Sequence, residues 1–290
     1  MTKSAELGDW TGDGSVVPVA KYVDASRKLD LSGIDWARIG DVPLDEGVRD
    51  CLIYMADIEG YTIAYLRDLL NTAAIDDADI ARFMSLWLYE EMFHQEALTR
   101  FLGAYGMTFA SDRGTQLRRR TSRMSRLSML GASALSYVTP SFLALYMTWG
   151  ALNELTTLTA YNLLAERARH PILSELLRRI VRDERRHFSF YYQQARERLR
   201  APAAQWITST GLRRFWRPVG TGVKRPEEVY ATIGYCYSGE RGRDAAREID
   251  ARMAALPGLG WFHMCVDFLD EMDKKGAERW SIKSRRSPKQ

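Results

Sequence analysis

Apolar residues return every three or four positions along most of residues 44–200, the spacing that gathers them on one face of an α-helix. Leu52, Met55, Glu59, Ile63, Leu66 and Leu70 share such a face, with a carboxylate in the middle of it. Asn71 and the stretch Ile-Asp-Asp-Ala-Asp at 75–79 end this helix and start a second. Short polar side chains compete with the helical backbone in the interior and cap it at its ends. The second helix carries the inward stripe Ile80, Met84, Trp87, Glu91, His94, Leu98 and Phe101, and stops between Gly103 and Gly106. After a basic connection a third helix starts near Pro140, with Thr139 as its N-cap and the proline at its first position. It runs to about Arg169, where His170-Pro171 breaks it, because the residue before a proline avoids the α region. A fourth helix runs from Pro171 to about Arg200.

Residues 1–43 show no clear period and read as an extended N-terminal arm. Residues 201–290 hold shorter helical patterns after Pro226, Gly242 and Pro257, and read as a C-terminal helical extension packed on the bundle. No alternation of consequence predicts strands, no repeat of solenoid length is present, and the Gly-Thr-Gly at 220–222 is too short for a phosphate loop. The pattern therefore predicts an all-α protein with a four-helix bundle over residues 44–200.

Composition refines this picture at three points. The three cysteines, Cys51, Cys236 and Cys265, are odd in number and far apart, so they form neither a disulfide framework nor a zinc motif. Together with a start, MTKSAELGDW, that lacks an apolar signal segment, they point to a reducing, cytoplasmic setting. The net charge of +4 is modest and suggests no nucleic-acid partner, but arginines cluster at 113–126 and again at 213–225. Such clusters are solvated surface or a docking patch for an acidic partner. Finally, residues 127–153 hold no charge at all. Ser, Thr, Gly and Pro140 within that run predict two buried segments meeting at Thr139-Pro140, not an integral membrane span.

Two of the four histidines repeat one motif: Glu91 stands three residues before His94, and Glu184 three before His187. His170 and His263 have no acid at that spacing. Residues three apart lie on one helix face a turn apart, so each pair can ligate one metal ion. A dinuclear site also needs bridging carboxylates, expected one from each of the other two helices. Glu59 interrupts the apolar face of the first helix, and Glu154 lies between Ala151 and Leu158 on the third. The lone Glu precedes its Glu-x-x-His by 32 residues in the first hairpin and by 30 in the second. This is the order of the di-iron or di-manganese carboxylate site of ferritin-like four-helix bundles. Without metal, each pair of carboxylates about 4 Å apart would repel by about 4 kcal/mol at an effective dielectric of 20. Two divalent cations would balance four carboxylates, and carboxylate with imidazole suits iron or manganese better than zinc. Ligating histidines donate their second N–H to a carboxylate. Asp183 is expected to orient His94, and Glu90 to orient His187.

The motifs resemble those of the soluble acyl carrier protein desaturases, over about residues 44–200. Leu-Leu-Asn-Thr at 69–72 is similar to the family's segment after its first ligand. YEEMFHQEAL stands where the family has Glu-Glu-Asn-Arg-His, NELTTLTA where it has Gln-Glu-Arg-Ala-Thr, and RDERRHFSFYYQQARERL closely follows its Asp-Glu-Lys-Arg-His segment. Met92 and Phe93 depart from the second-helix motif, as do Gln95 and Glu96, and Phe188 departs from the last. The resemblance implies two iron ions cycling between Fe2+ and Fe3+ on Glu59, Glu91, His94, Glu154, Glu184 and His187. It implies Thr157 as a proton-relay or O2-pocket hydroxyl, O2 as co-substrate, and a ferredoxin-type external electron donor. It further implies an acyl chain carried on acyl carrier protein as substrate, and a homodimer. A di-iron oxygenase performing hydroxylation or N-oxygenation on a small metabolite is the alternative, and iron handling a more distant one. A ribonucleotide reductase radical subunit fits less well, because Leu98 stands four after His94 in place of the radical-forming tyrosine.

Overall fold

The computed structural model describes residues 19–119, 136–139 and 141–275. The chain enters as α1 (Val19–Ala25) and a 3-10 turn at Trp36–Asp41. The bundle begins at Asp45, whose carboxylate accepts from the N–H groups of Gly47 and Val48, two donors that a helix start leaves free. From this cap α2 runs over Glu46–Glu59, followed by α3 (Thr62–Leu70) and a 3-10 turn at Ala73–Asp76. Asp77 caps α4 (Ala78–Gly103) through the N–H groups of Asp79 and Ile80. A short α5 (Arg113–Arg119) follows. The second hairpin is α6 (Phe142–Ala168) and α7 (Pro171–Arg198). Only Arg169 and His170 separate these two, so they are antiparallel neighbours. Arg169 takes the left-handed conformation (φ 47°), and His170 caps α7 by accepting from the Leu173 N–H.

Helices α2 and α4 pack together, α6 lies along α7, and contacts of α4 with α7 and of α2 with α6 close the expected all-α, ferritin-like bundle. No strand occurs among the described residues, and no helix there is long and apolar enough to cross a membrane. The second-helix stripe from Ile80 to Phe101 is buried throughout. Thr139 Oγ1 accepts from the Ser141 N–H ahead of the third helix; Pro140 itself lies outside the described residues, as do Arg120, Arg123 and Arg126.

Three expectations need correction. The first helix is not continuous: it breaks after Glu59, where a Cβ on Gly60 would meet the Gln95 side chain at 2.3 Å. The Thr62 hydroxyl then donates to the Glu59 carbonyl at 2.6 Å. The break shifts the helical phase, so Tyr61, Ala64 and Leu69 are buried while Ile63 and Leu70, placed on the inner face by their spacing, are exposed. The N-terminal arm is not wholly extended, since α1 docks on α4 and α7. The tail is also more helical than its pattern indicates, with α8 (Pro202–Phe215), α9 (Pro226–Cys236), α10 (Gly239–Ala254) and α11 (Met264–Lys274). The last of these starts well after Pro257, where the Asp250 carboxylate of α10 accepts from the N–H groups of Cys265 and Val266.

The C-terminal helices form a layer over α6 and α2. Cys236 of α9 lies 3.9 Å, sulfur to sulfur, from Cys51 of α2, both buried free thiols. The two arginine-rich stretches meet at one buried carboxylate. Asp57 accepts from Arg113 Nη2 and from Lys224 Nζ, each at 2.7 Å. The loop that brings Lys224 there needs Gly220 (φ 89°), because a Cβ would lie 1.9 Å from the Tyr54 hydroxyl that binds the Val219 carbonyl. Removing one partner of a buried ion pair costs about 3–5 kcal/mol. Asp57→Ala, which leaves buried Lys224 with Glu228 as its remaining carboxylate partner at 3.1 Å, should therefore lower the unfolding free energy in urea by an amount toward the lower end of that range.

Candidate metal centre

On α4 and α7 the apolar core is split in two. Ile80, Phe83, Met84 and Trp87 belong to one cluster, and Ala97, Leu98, Phe101 and Leu102 to another. Glu90, Glu91 and His94 occupy the gap on α4, and Asp183, Glu184 and His187 the matching gap on α7. The fold brings all six sequence-derived ligand candidates into this buried band. They form two groups of potential ligand atoms: Glu59, Glu91, His94 and Glu184, and Glu91, Glu154, Glu184 and His187.

Both imidazoles point Nδ1 inward. His94 Nδ1 lies 3.1 Å from Glu184 Oε1 and 4.0 Å from Glu59 Oε2 and Glu91 Oε1. His187 Nδ1 lies 3.1 Å from Glu91 Oε1, 3.3 Å from Glu184 Oε2 and 3.6 Å from Glu154 Oε2. The outer nitrogens meet the expected carboxylates: His94 Nε2 faces Asp183 Oδ2 at 3.3 Å, and His187 Nε2 faces Glu90 Oε2 at 2.8 Å. A carboxylate on Nε2 fixes the tautomer that leaves the Nδ1 lone pair facing the band.

The expected division of labour among the carboxylates is reversed. Glu59 and Glu154 each belong to one group, whereas Glu91 and Glu184 belong to both. The glutamates of the Glu-x-x-His motifs are thus the ones placed to bridge, because each reaches across toward the other helix's histidine. Glu59 and Glu154 face one histidine each.

Side chains that the sequence reading did not single out complete the site. Arg186 donates to Asp183 Oδ1 at 2.7 Å and to Glu90 Oε1 at 2.6 Å, holding both outer carboxylates with one guanidinium. Tyr22 of α1 donates to Glu90 at 2.8 Å. Trp87 Nε1 donates to Glu154 Oε1 at 3.0 Å, and the Tyr161 hydroxyl donates to Glu59 Oε1. A partial signal existed for the last two. Trp87 lies one turn before Glu91 on the inward stripe, and Tyr161 two turns after Glu154 on the face of α6 that also holds Leu158.

The residues present fit a metal pair. Glu91 Oε1, His94 Nδ1 and Glu184 Oε1 are buried without an aligned hydrogen-bond partner, although His94 Nδ1 and Glu184 Oε1 are only 3.1 Å apart. Orphaned acceptors and a lone pair converging on one point are costly unless a cation satisfies them. The titration behaviour has the same origin. Burial, reinforced by the Glu184 charge, pushes Glu154 up to about 8. Burial with the charges of Glu59 and Glu184 drives Glu91 well above the usual carboxylate range. Burial alone would depress His94, but its contacts with Asp183 and Glu184 overcome this and push it up to about 10. Burial would likewise raise Glu90, yet His187 and Arg186 hold it down at about 2, so it stays anionic beside the imidazole.

An apolar cavity of about 100 Å³ adjoins the band. Met55, Ile58, Trp216, Val219, Ile233 and Phe268 are among its walls, so the C-terminal layer closes it against the bundle. Thr157 lies on the wall, one turn before Tyr161, which is the hydroxyl that reaches a ligand carboxylate. Of the six ligand candidates, Glu59 alone lines the cavity. His263 pairs with Asp267 on the surface, and His170 is a helix cap.

Two groups of ligands predict two metal ions per chain. After anaerobic reconstitution with Fe(II), Glu154→Ala should weaken one ion, whereas Glu91→Ala should weaken both; metal analysis against dialysis time distinguishes them.

The pKa shifts predict a pH dependence. A group raised in the fold stabilises it fully below the unfolded pKa and loses that contribution as pH rises through the folded value. Glu154, raised from 4.5 to about 8, and His94, raised from 6.5 to about 10, both act this way. Metal binding instead requires deprotonated ligands. The Tm of metal-free protein should fall between about pH 4.5 and about pH 10, and the additional Tm conferred by metal should grow over that range. Differential scanning calorimetry of both forms measures this. Compared with known proteins, the chain matches no family model and no curated protein, so the assignment of a buried Glu/His cluster able to hold metal rests on these side chains.

Proposed function

We propose that the chain is an O2-dependent di-iron oxidoreductase acting on an apolar chain, in the manner of the soluble acyl carrier protein desaturases it resembles. The observation that supports this most is the juxtaposition of two metal-ligand groups, sharing Glu91 and Glu184, with an apolar cavity that reaches Glu59. Four carboxylates and two imidazoles suit iron, whereas zinc prefers closed tetrahedral sites. Iron held there supplies the reduction of O2 and the removal of hydrogen from the substrate. Desaturation takes two electrons from the chain, and reduction of O2 to two waters takes four. The remaining two come from an external donor of the ferredoxin type.

The protein's own contribution is positional. Glu59, Glu91, Glu154, Glu184, His94 and His187 hold the ions. Asp183, Glu90 and Arg186 keep both imidazoles oriented. The cavity wall excludes water and lays the chain beside Glu59, and Thr157 offers a hydroxyl on that wall.

The end of α8 supports a carrier protein as the source of the chain. Arg213, Arg214, Phe215 and Arg217 are exposed, while Trp216 and Pro218 between and beside them line the cavity. A basic, partly aromatic surface therefore continues directly into the cavity wall, where a small acidic carrier would deliver its acyl arm. Rim charges act mainly on association rate and its salt dependence. The double variant Arg214→Glu/Arg217→Glu should weaken binding of acyl-loaded acyl carrier protein on the order of tenfold at low salt, with iron content unchanged. Surface plasmon resonance across salt concentrations reads this, alongside product analysis by mass spectrometry of the iron-loaded enzyme. An unchanged affinity would remove the carrier from the reading. Oxidation of a free small molecule in place of the acyl chain would favour hydroxylation or N-oxygenation.

A further inference from the structure

Glu59 and Glu154 are held in the same way by unlike side chains. Each gives Oε1 to an aromatic donor on another helix and turns Oε2 toward a histidine: Glu59 to Tyr161 and His94, Glu154 to Trp87 and His187. The two clamps differ in what lies behind them. Trp87 sits in the core cluster with Phe83 and Met84. Tyr161 is fully buried and forms part of the cavity wall, as does Glu59 itself. Tyr161 therefore borders the apolar cavity, while its hydroxyl reaches a ligand carboxylate. Nothing else in the band combines these contacts, because the remaining five ligand candidates do not line the cavity.

We propose that Tyr161 is a positioning residue that couples occupancy of the cavity to the metal centre. This rests on the reading of cavity and centre given above. An apolar chain entering the cavity packs against the Tyr161 ring and shifts its hydroxyl relative to Glu59 Oε1. The Glu59 carboxylate then rotates, so the oxygen it would offer to a metal ion changes position relative to His94. A ligand changes a conformational balance only through contacts that differ between the two states. The contact between ring and chain is that difference, and it acts on the His94 side of the centre and not on the Trp87–Glu154 side.

Cobalt(II) replaces iron for the test, because its visible absorption reports coordination number and geometry without turnover. Myristic acid is the probe, and its binding is measured separately by calorimetry. In cobalt-loaded wild type, titration with myristic acid should change the visible spectrum. Tyr161→Phe keeps the ring and should bind the acid, but the spectral change should be lost. Trp87→Phe should retain it. Failure of cobalt to load at all would overturn the metal reading and this proposal together. With cobalt loaded, myristic acid that does not bind wild type, or binds without a spectral change, overturns the coupling whatever the variants do. An undiminished response in Tyr161→Phe, or an equal loss in Trp87→Phe, overturns the assignment to Tyr161 while leaving the metal centre standing.

Discussion

The fold is organised around a repulsion. Four carboxylates share one buried layer, and like charges at such distances in a poorly screened interior oppose folding. Burial and neighbouring charge raise Glu91 and Glu154, and the facing carboxylates raise both imidazoles. A bound metal would need those imidazoles neutral and those carboxylates deprotonated. Everything around the band serves one or the other balance. Arg186 neutralises the outer carboxylates, Trp87 and Tyr161 each occupy one carboxylate oxygen, and apolar clusters above and below keep water out. The same side chains therefore fold the protein and leave it able to hold metal.

Much of this was legible because a helix converts spacing directly into direction. Two Glu-x-x-His motifs and two lone glutamates on apolar stripes fix which faces turn inward, and the outer partners Asp183 and Glu90 follow from their place beside the ligands. Which carboxylates belong to both ligand groups was not legible. Periodicity tells which face a side chain is on but not how far it reaches toward the opposite helix, and that distance makes Glu91 and Glu184 the shared pair. The aromatic clamps were hidden for the same reason, since each joins two helices whose relative register no local pattern encodes.

The misread segments have local causes. The first helix breaks at Gly60, where the Gln95 side chain of the neighbouring helix lies against the backbone, a contact that no local periodicity encodes. Helix α1 is too short to show a period, and it is stabilised by Tyr22 reaching Glu90 more than by its own propensity. The arginine clusters read as surface, yet Arg113 and Lys224 turn to the buried Asp57, so part of that charge is structural. The arginines at the end of α8 remain exposed.

Arg186 gives the two halves of the centre a common ruler. Each histidine meets an outer carboxylate from the other hairpin, and those two carboxylates are in turn joined through Arg186. One planar guanidinium spans Asp183 and Glu90, and its rigid fork has a single width. The two imidazoles, whose ring centres lie 5.9 Å apart, are thus fastened to each other through one guanidinium as well as through the packing of the helices.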